Sequence, residues 1–324
     1  MNPEKSLNGI FFTCPVFLLA TLLIFANSAA AAGNDIPTNQ DISRATLTNG
    51  LQVIVVRNTI APVVTTMMNY RVGSDEAPAG FPGTAHATEH MMFRGSPGLS
   101  ADQLAAISAA FGGDDNADTQ QAVTQYFFTT TAENLEVALR VEATRMRNLL
   151  PDESLWEKER GAIEQEVAQD LSNPVYVFYQ QLLAATFKGT PYEHSPLGTR
   201  PSFDKTTGAM LRKFHNTWYV PNNAILVIAG NVEPQRVLKE VKNVFGKIPA
   251  GTLPARPVFD FEPVKPDTMK LDTDLPYGMT AITFRFPGAD NPDFAAAQIL
   301  SDVLSSQRGK LYGLVPAGQA LFAD

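Results

Sequence analysis

The sequence predicts an α+β fold, because strand and helix patterns are mixed along the chain without the strict rhythm of a parallel βαβ sheet. The first strands form a hairpin at 45–57, with Asn49-Gly50 at the turn and a β-rich arm at 51–56. A hydrophobic content of 44% supplies enough apolar side chains for a sizeable core. The length of 324 residues suggests about two domains.

The segments after the hairpin lead to two consecutive helices. A β-rich run at 62–72 is followed by a loop rich in glycine and proline at 77–83, and a short helix then ends near Gly95. Ser100 and Gln103 form a capping box at the start of the next helix. The buried face of that helix is predicted to carry Leu104, Ile107 and Phe111.

The remaining elements of the first domain follow from hydrophobic periodicity and from glycine and proline boundaries. The sequence predicts strands at 122–130 and 224–230, and helices at 133–149, 151–171, 207–219 and 234–245. Together with the earlier elements, they define a first domain at 43–250.

The chain beyond this domain is predicted to be a linker and the start of a second domain. The segment 251–267 is rich in proline and is interpreted as an extended linker. A strand at 279–286 and a helix at 294–304 follow, but 268–324 is short for an independent core. We therefore expect an incomplete second domain in a fragment of a longer protein. A truncated variant or a small appendage is the alternative.

The first 32 residues have the pattern of a secretory signal peptide. Lys5 precedes an apolar run at 10–25, and small residues at 27–32 offer cleavage sites. An uncleaved membrane anchor is the alternative, although the run is short beside the ~20 residues that span a bilayer. We expect a periplasmic or secreted protein that is not held at a membrane after cleavage. Cleavage would remove Cys14, the single cysteine, leaving His, Asp and Glu as metal ligands.

The charge of the chain argues against one class of partner. The net charge is -8 and the sequence pI is about 5.1. No long basic run or stripe is visible, so nucleic acid is not an expected partner.

The main chemical motif is His86-Ala87-Thr88-Glu89-His90. On a helix the two histidines share a face, so both imidazoles can bind one metal ion. The order H-x-x-E-H is an inverted zinc-peptidase signature. Glu89 is predicted to be the general base that accepts a proton from the attacking water and passes it to the leaving amine. A surface helix with two solvated histidines is the simpler alternative.

A catalytic zinc ion needs about three protein ligands, so the two histidines require a third. The acidic candidates in the helix at 151–171 are Glu153, Glu157, Glu159, Glu164 and Glu166. Glu166 is the strongest, with Glu159 two turns earlier on the same face as a supporting residue. Spacing alone does not choose among them, and such a run is often a solvated face. His194 and His215 are interpreted as surface or packing residues.

The motif lies within a longer series of matching segments, found at 73–76, 83–95, 112–119, 126–127, 159–166, 218–223 and 227–230. In these segments and their order, the chain resembles the pitrilysin/insulinase-type zinc metallopeptidase family, which includes mitochondrial processing peptidase. The resemblance implies an α+β metallopeptidase domain with an antiparallel-rich sheet flanked by helices. A second, homologous domain of the same family is implied to follow.

The resemblance also implies roles for particular residues. It places the third zinc ligand at Glu166 and the family's supporting acidic residue at Glu159. Asn116 and Ala117 match a segment that looks like a substrate-binding edge strand. From the residues alone, we favour the simpler interpretation that Asn116 is a turn residue after Gly112-Gly113.

The implied activity is that of a zinc-dependent endopeptidase acting on peptides or unfolded polypeptide segments. Family members form two halves around a closed chamber. This chain is therefore expected to need a second half, in the same longer chain or in a partner subunit, and to be weakly active or inactive alone. The main alternative is a non-catalytic partner or assembly subunit. The presence of His86, Glu89, His90 and Glu166 favours an active enzyme. A zinc hydrolase of another class fits the extended match less well.

Overall fold

The computed structural model describes residues 41–150, 152–256, 261, 263–286 and 288–320. The predicted signal peptide lies outside these residues. The described residues fall into two compact units, one within Met1–Asn173 and His194–Val258 and the other within Pro174–Glu193 and Phe259–Asp324. The domain boundaries expected from the sequence remain predictions.

The first unit contains a six-stranded sheet. Its strands are β1 (Ile42–Thr46), β2 (Gln52–Arg57), β3 (Val63–Tyr70), β6 (Asp114–Thr119), β7 (Thr124–Thr131) and β8 (Ala224–Gly230). A separate two-stranded ribbon pairs β4 (Gly95–Ser96) with β5 (Leu99–Ser100). The large sheet has the order β1-β2-β8-β3-β7-β6, and only the β2–β8 pair is parallel. The predicted α+β class with an antiparallel-rich sheet is confirmed.

The helices, in chain order, are α1 (Thr84–Phe93), α2 (Ala101–Phe111), α3 (Leu135–Arg147), α4 (Glu153–Leu171), α5 (Pro174–Thr186), α6 (Arg200–Phe203), α7 (Gly208–Trp218), α8 (Pro234–Phe245) and α9 (Phe294–Ser305). Helices α5 and α9 belong to the second unit. The predicted capping box is present, since Ser100 and Gln103 exchange hydrogen bonds of 3.2 and 2.9 Å at the start of α2. Within the described ranges, no helix is long and apolar enough to cross a membrane.

The core lies on one face of the sheet. Alternate residues of the central strands are buried, as a period of two requires, so that Met68, Tyr126 and Leu226 lie side by side across β3, β7 and β8. Helix α1 is buried from Thr84 to Met92 except at His90. The motif helix is therefore a core element, and its side chains are held by packing.

The interpretation of Asn116 as a turn residue is wrong. Residues 114–119 form the edge strand β6, which pairs in antiparallel register with β7. The run Asp114 to Asp118 is poor in strand-forming residues, so its own propensity did not predict a strand. The ladder with β7, the next strand of the chain, stabilises β6 and outweighs this propensity.

The second unit differs from the sequence-based description in two places. Helix α5 was not predicted, because Val, Tyr and Phe, which have low helix propensity, dominate its first turns. The strand predicted at 279–286 is not formed. Its alternate residues Ile282 and Phe284 are 79% and 71% exposed, and the described residues give it no partner strand. The helix predicted at 294–304 is observed as α9.

His215 is a packing residue within the first unit. It lies on α7, stacks on Tyr219 with ring centroids 4.9 Å apart, and its Nε2 donates to the Arg145 carbonyl at 2.9 Å. Complete burial lowers the pKa of His215 to about 4, because the interior disfavours the charged imidazolium.

This burial predicts an acid-sensitive contribution to stability. Between about pH 6.5 and 4 the unfolded chain binds a proton at this position that the folded chain does not, so stability falls as pH falls. The loss attributable to His215 is expected to reach up to about 3 kcal/mol. Urea unfolding of the metal-free protein across this range should show a smaller loss for His215→Gln. The exposed His194→Gln serves as the control, and equal pH slopes for all three proteins would contradict the assignment.

Candidate metal centre

The two motif histidines meet on one face of α1. Their Nε2 atoms are 3.2 Å apart, and the rings are edge to face with centroids 4.7 Å apart. His86 is buried and His90 is partly exposed, so the pair lies at the boundary between core and surface. The four-residue spacing alone accounts for the shared face.

Helix α4 brings Glu166 to the same point. Its Oε1 lies 3.4 Å from His86 Nε2, and its Oε2 lies 3.2 Å from His90 Nε2. Within the described part of the chain, these three residues form the cluster that could hold a metal ion. Ligand atoms about 2.0–2.2 Å from a tetrahedral zinc ion are about 3.3 Å from one another. The donor types and their separations therefore fit zinc.

Each histidine has a partner on its other ring nitrogen. His90 Nδ1 lies 2.8 Å from Glu159 Oε1, and Arg94 at the end of α1 donates to the other Glu159 oxygen. His86 Nδ1 lies 3.1 Å from the Leu197 carbonyl oxygen. A carbonyl can only accept, so His86 carries its proton on Nδ1 and turns the Nε2 lone pair towards the cluster.

In the metal-free cluster, the contacts between histidine and glutamate side chains shift their pKa values in opposite directions. Burial alone would lower the pKa of His90, but hydrogen bonds and charges from Glu159 and Glu166 raise it to about 9. Burial alone would raise the pKa of Glu166, but its contacts with His86 and His90 hold it well below the usual range. A metal ion must displace the proton of His90, so metal affinity rises with pH.

Glu89 lies beside the cluster and outside the ligand set. It is 8% exposed, and the Thr119 hydroxyl donates to its Oε2 at 2.5 Å. Burial raises the pKa of Glu89, and the neighbouring His86 and the Thr119 hydrogen bond partly offset that rise. A raised pKa makes a carboxylate a better proton acceptor than an exposed glutamate.

The edge strand β6 carries the other two predicted site residues. Asn116 is exposed, whereas Ala117 is partly buried and packs against the core. The strand ends at Thr119, the residue that contacts Glu89. The predicted binding strand and the predicted base are therefore joined by one hydrogen bond.

Sequence reasoning missed three contributors to the site. Leu197 acts through its backbone carbonyl, which no residue pattern reveals. Arg94 and Thr119 lie inside the matching segments 83–95 and 112–119, but only the folded contacts reveal what they touch. Among the residues that were predicted, the structure brings together His86, Glu89, His90, Glu159 and Glu166.

The fold and the site together define a metal-binding α+β unit of the inverted-motif zinc-peptidase class. Residues 52–200 match the family described as Insulinase (Peptidase family M16). Residues 205–321 match the domain described as Peptidase M16 inactive domain. The chain belongs to this pitrilysin/insulinase-type family, and the resemblance stated from the sequence is confirmed.

The curated relatives include two proteins of different kinds. Zinc protease PqqE of Helicobacter pylori is 32% identical over 231 residues, which cover 70% of this chain and 51% of that protein. A probable mitochondrial-processing peptidase subunit beta of Arabidopsis thaliana is 27% identical over 279 residues, covering 85% of this chain and 52% of that protein. The chain thus spans about half the length of the curated relatives it matches.

A solved structure agrees with these relationships. The crystal structure of a protease from Helicobacter pylori superposes with a TM-score of 0.73 at 26% identity. The superposition covers 88% of this chain and 70% of that one. The similarity therefore extends well beyond the motif helix.

The Leu197 carbonyl is held in place by a close approach of two backbones. Gly198 has φ of 88°, and a Cβ atom at this position would lie 2.5 Å from the Cα of Gly83, where α1 begins. Ser202 donates to the Pro82 carbonyl at 2.7 Å and joins the same two segments. The Gly83–Gly198 contact thus sets the distance from Leu197 to His86.

We expect Gly198→Ala to weaken zinc binding about 10- to 100-fold, because the added methyl group must push the Leu197 carbonyl away from His86. Gly189→Ala is the matched control, since Gly189 also has a positive φ of 76° but open space around its Cβ position. Competition with a chelating dye measures the affinity in folded samples. Equal affinity in Gly198→Ala and wild type would show that this contact does not support the site.

Proposed function

We propose that the chain carries the catalytic part of a zinc-dependent endopeptidase that hydrolyses peptides or unfolded polypeptide segments. The observation that supports this most is the meeting of His86, His90 and Glu166 around one point, with Glu89 beside them and outside the ligand set. Three ligands leave one position of a tetrahedral zinc ion open, as catalytic sites require.

The residues have separate tasks in this proposal. His86, His90 and Glu166 would hold the metal, and Glu159 would orient His90 through Nδ1. Bound zinc supplies Lewis-acid polarisation of the scissile carbonyl and activation of a water molecule. Arg94 holds the second oxygen of Glu159, which limits rotation of that carboxylate.

Glu89 moves the proton. Its carboxylate accepts a proton from the attacking water and returns it to the nitrogen of the leaving amine. Its burial and raised pKa support this role, because a carboxylate that binds a proton more readily is a better base near neutral pH. Glu89 lies next to His90 in the chain, so the proposed base and the two histidine ligands share one rigid helix.

The substrate is proposed to add to the sheet as a further strand. Strand β6 is an edge of the six-stranded sheet, and Asn116 and Ala117 lie along it. Main-chain hydrogen bonds to an edge strand recognise an extended peptide with little dependence on its side chains. Peptides and unfolded segments meet this requirement, whereas compact folded proteins do not.

The setting of the enzyme is proposed from the sequence. The pattern of residues 1–32 supports export, and we propose a periplasmic or secreted protein. The chain spans about half of its curated relatives, so we propose that a second half completes the substrate chamber. That half lies in a longer form of this chain or in a partner subunit.

A non-catalytic partner or assembly subunit is the alternative function. Such a role does not require an intact metal cluster or a base beside it. His86, Glu89, His90 and Glu166 are all present and close together, which supports the enzymatic proposal.

We expect Glu89→Gln to retain zinc and to lower cleavage of a quenched peptide at least about 100-fold, because the amide cannot accept the proton. The assay uses the full chain loaded with zinc and supplied with its second half, and a chelator should abolish wild-type activity. Glu157→Gln, an exposed change on α4, is the control. Full activity in Glu89→Gln would exclude this residue as the base. A zinc-loaded wild-type protein without activity would favour the partner-subunit alternative.

A further inference from the structure

The hydrogen bond between Thr119 and Glu89 joins two parts of the site that are far apart in the sequence. The Thr119 hydroxyl donates to Glu89 Oε2 at 2.5 Å, and the two residues are 7% and 8% exposed. A hydrogen bond to a buried carboxylate is charge-assisted and stronger than one between neutral groups. The last residue of the edge strand thus holds one oxygen of the predicted base.

The position of Thr119 is fixed by the sheet and by the loop before α1. Thr119 pairs with Thr124 in the β6–β7 ladder. The next two carbonyl groups, of Gln120 and Gln121, accept from the Ser74 and Asp75 amides at 3.0 and 2.9 Å. The hydroxyl therefore has a rigid support that does not depend on Glu89.

A rigid donor at Oε2 restricts the carboxylate of Glu89. A glutamate side chain has three rotatable bonds, so burial alone does not fix which oxygen faces the reacting groups. Because the Thr119 hydroxyl takes up one lone pair of Oε2, Oε1 is the oxygen less restricted in accepting a proton. Holding a catalytic group in one orientation lowers the entropic part of the barrier.

We propose that Thr119 is a positioning residue that orients Glu89 so that Oε1 accepts the proton. The inference rests on the proposed endopeptidase function. It also gives strand β6 two roles, since Asn116 and Ala117 on this strand are proposed to bind the substrate main chain. The strand that receives the peptide then also sets the orientation of the base.

A merely structural role makes a different prediction. If the hydrogen bond only satisfied a buried hydroxyl, its loss would lower stability or zinc content, and activity would fall in proportion to the folded, metal-loaded fraction. A positioning role lowers kcat while KM and zinc content stay unchanged. If Thr119 has a positioning role, any side chain that returns a hydroxyl to the same place should also restore kcat.

The test compares Thr119→Val with Thr119→Ser in the full chain, loaded with zinc and supplied with its second half. Thr119→Val is expected to lower kcat about 10- to 100-fold, with KM within about twofold and zinc content unchanged. Thr119→Ser should recover most of the activity. Thr130→Val is the control, because this buried threonine of β7 donates to the Phe111 carbonyl.

Wild-type kcat in Thr119→Val, or a loss that Thr119→Ser does not recover, would overturn the proposal. A loss in Thr119→Val explained by lower zinc content or incomplete folding would also overturn it.

A second measurement needs neither activity nor metal. In the metal-free protein with labelled threonine, NMR should show the Thr119 hydroxyl proton exchanging with water at least about tenfold more slowly in wild type than in Glu89→Ala. Equal exchange rates would refute the hydrogen bond even if Glu89→Gln is inactive. Slow exchange in a wild-type protein that cleaves no peptide would instead reject the endopeptidase function while keeping the contact.

Discussion

The packing of helix α1 into the core is the constraint on which the site depends. A helix buried on nearly all sides cannot rotate or slide without opening the core. The backbone positions of His86, Glu89 and His90 are therefore fixed. Helix α4 is held likewise by the buried side chains of Trp156 and Ile163. Two rigid helices thus bring the three residues together, with the histidine Nε2 atoms 3.2 Å apart and each of them 3.2–3.4 Å from a Glu166 carboxylate oxygen.

Around these ligands, each side chain is oriented by a further contact from a different part of the chain. Glu159 holds His90, the Leu197 carbonyl holds His86, and Thr119 holds Glu89. These partners come from α4, from the loop before α6 and from the edge strand. The proposed tasks of metal binding, proton transfer and peptide binding are therefore linked through the fold, although each is assigned to different residues.

Local signals in the sequence predicted much of this arrangement. The capping box at Ser100 defined where α2 begins, because it depends on neighbouring residues. The third ligand needed the family resemblance, since spacing left five glutamates open and only long-range packing selects Glu166. The Leu197 carbonyl was missed from the residues alone for the same reason, because its partner His86 is distant in the chain. Strand β6 was missed because its residues have low strand propensity and the strand depends on pairing with β7. The predicted strand at 279–286 lacks such a partner in the described residues and is not formed.

His86, His90 and Glu166 are proposed to bind zinc together. X-ray absorption spectroscopy of the zinc-loaded full chain tests this proposal most directly, because the spectrum reports the type and number of ligand atoms. We expect two imidazole nitrogens and oxygen ligands at about 2.0–2.2 Å, without sulfur. The imidazole contribution should halve in His90→Ala and persist in Glu166→Ala. A spectrum with sulfur ligands, or an imidazole contribution unchanged in His90→Ala, would contradict the account.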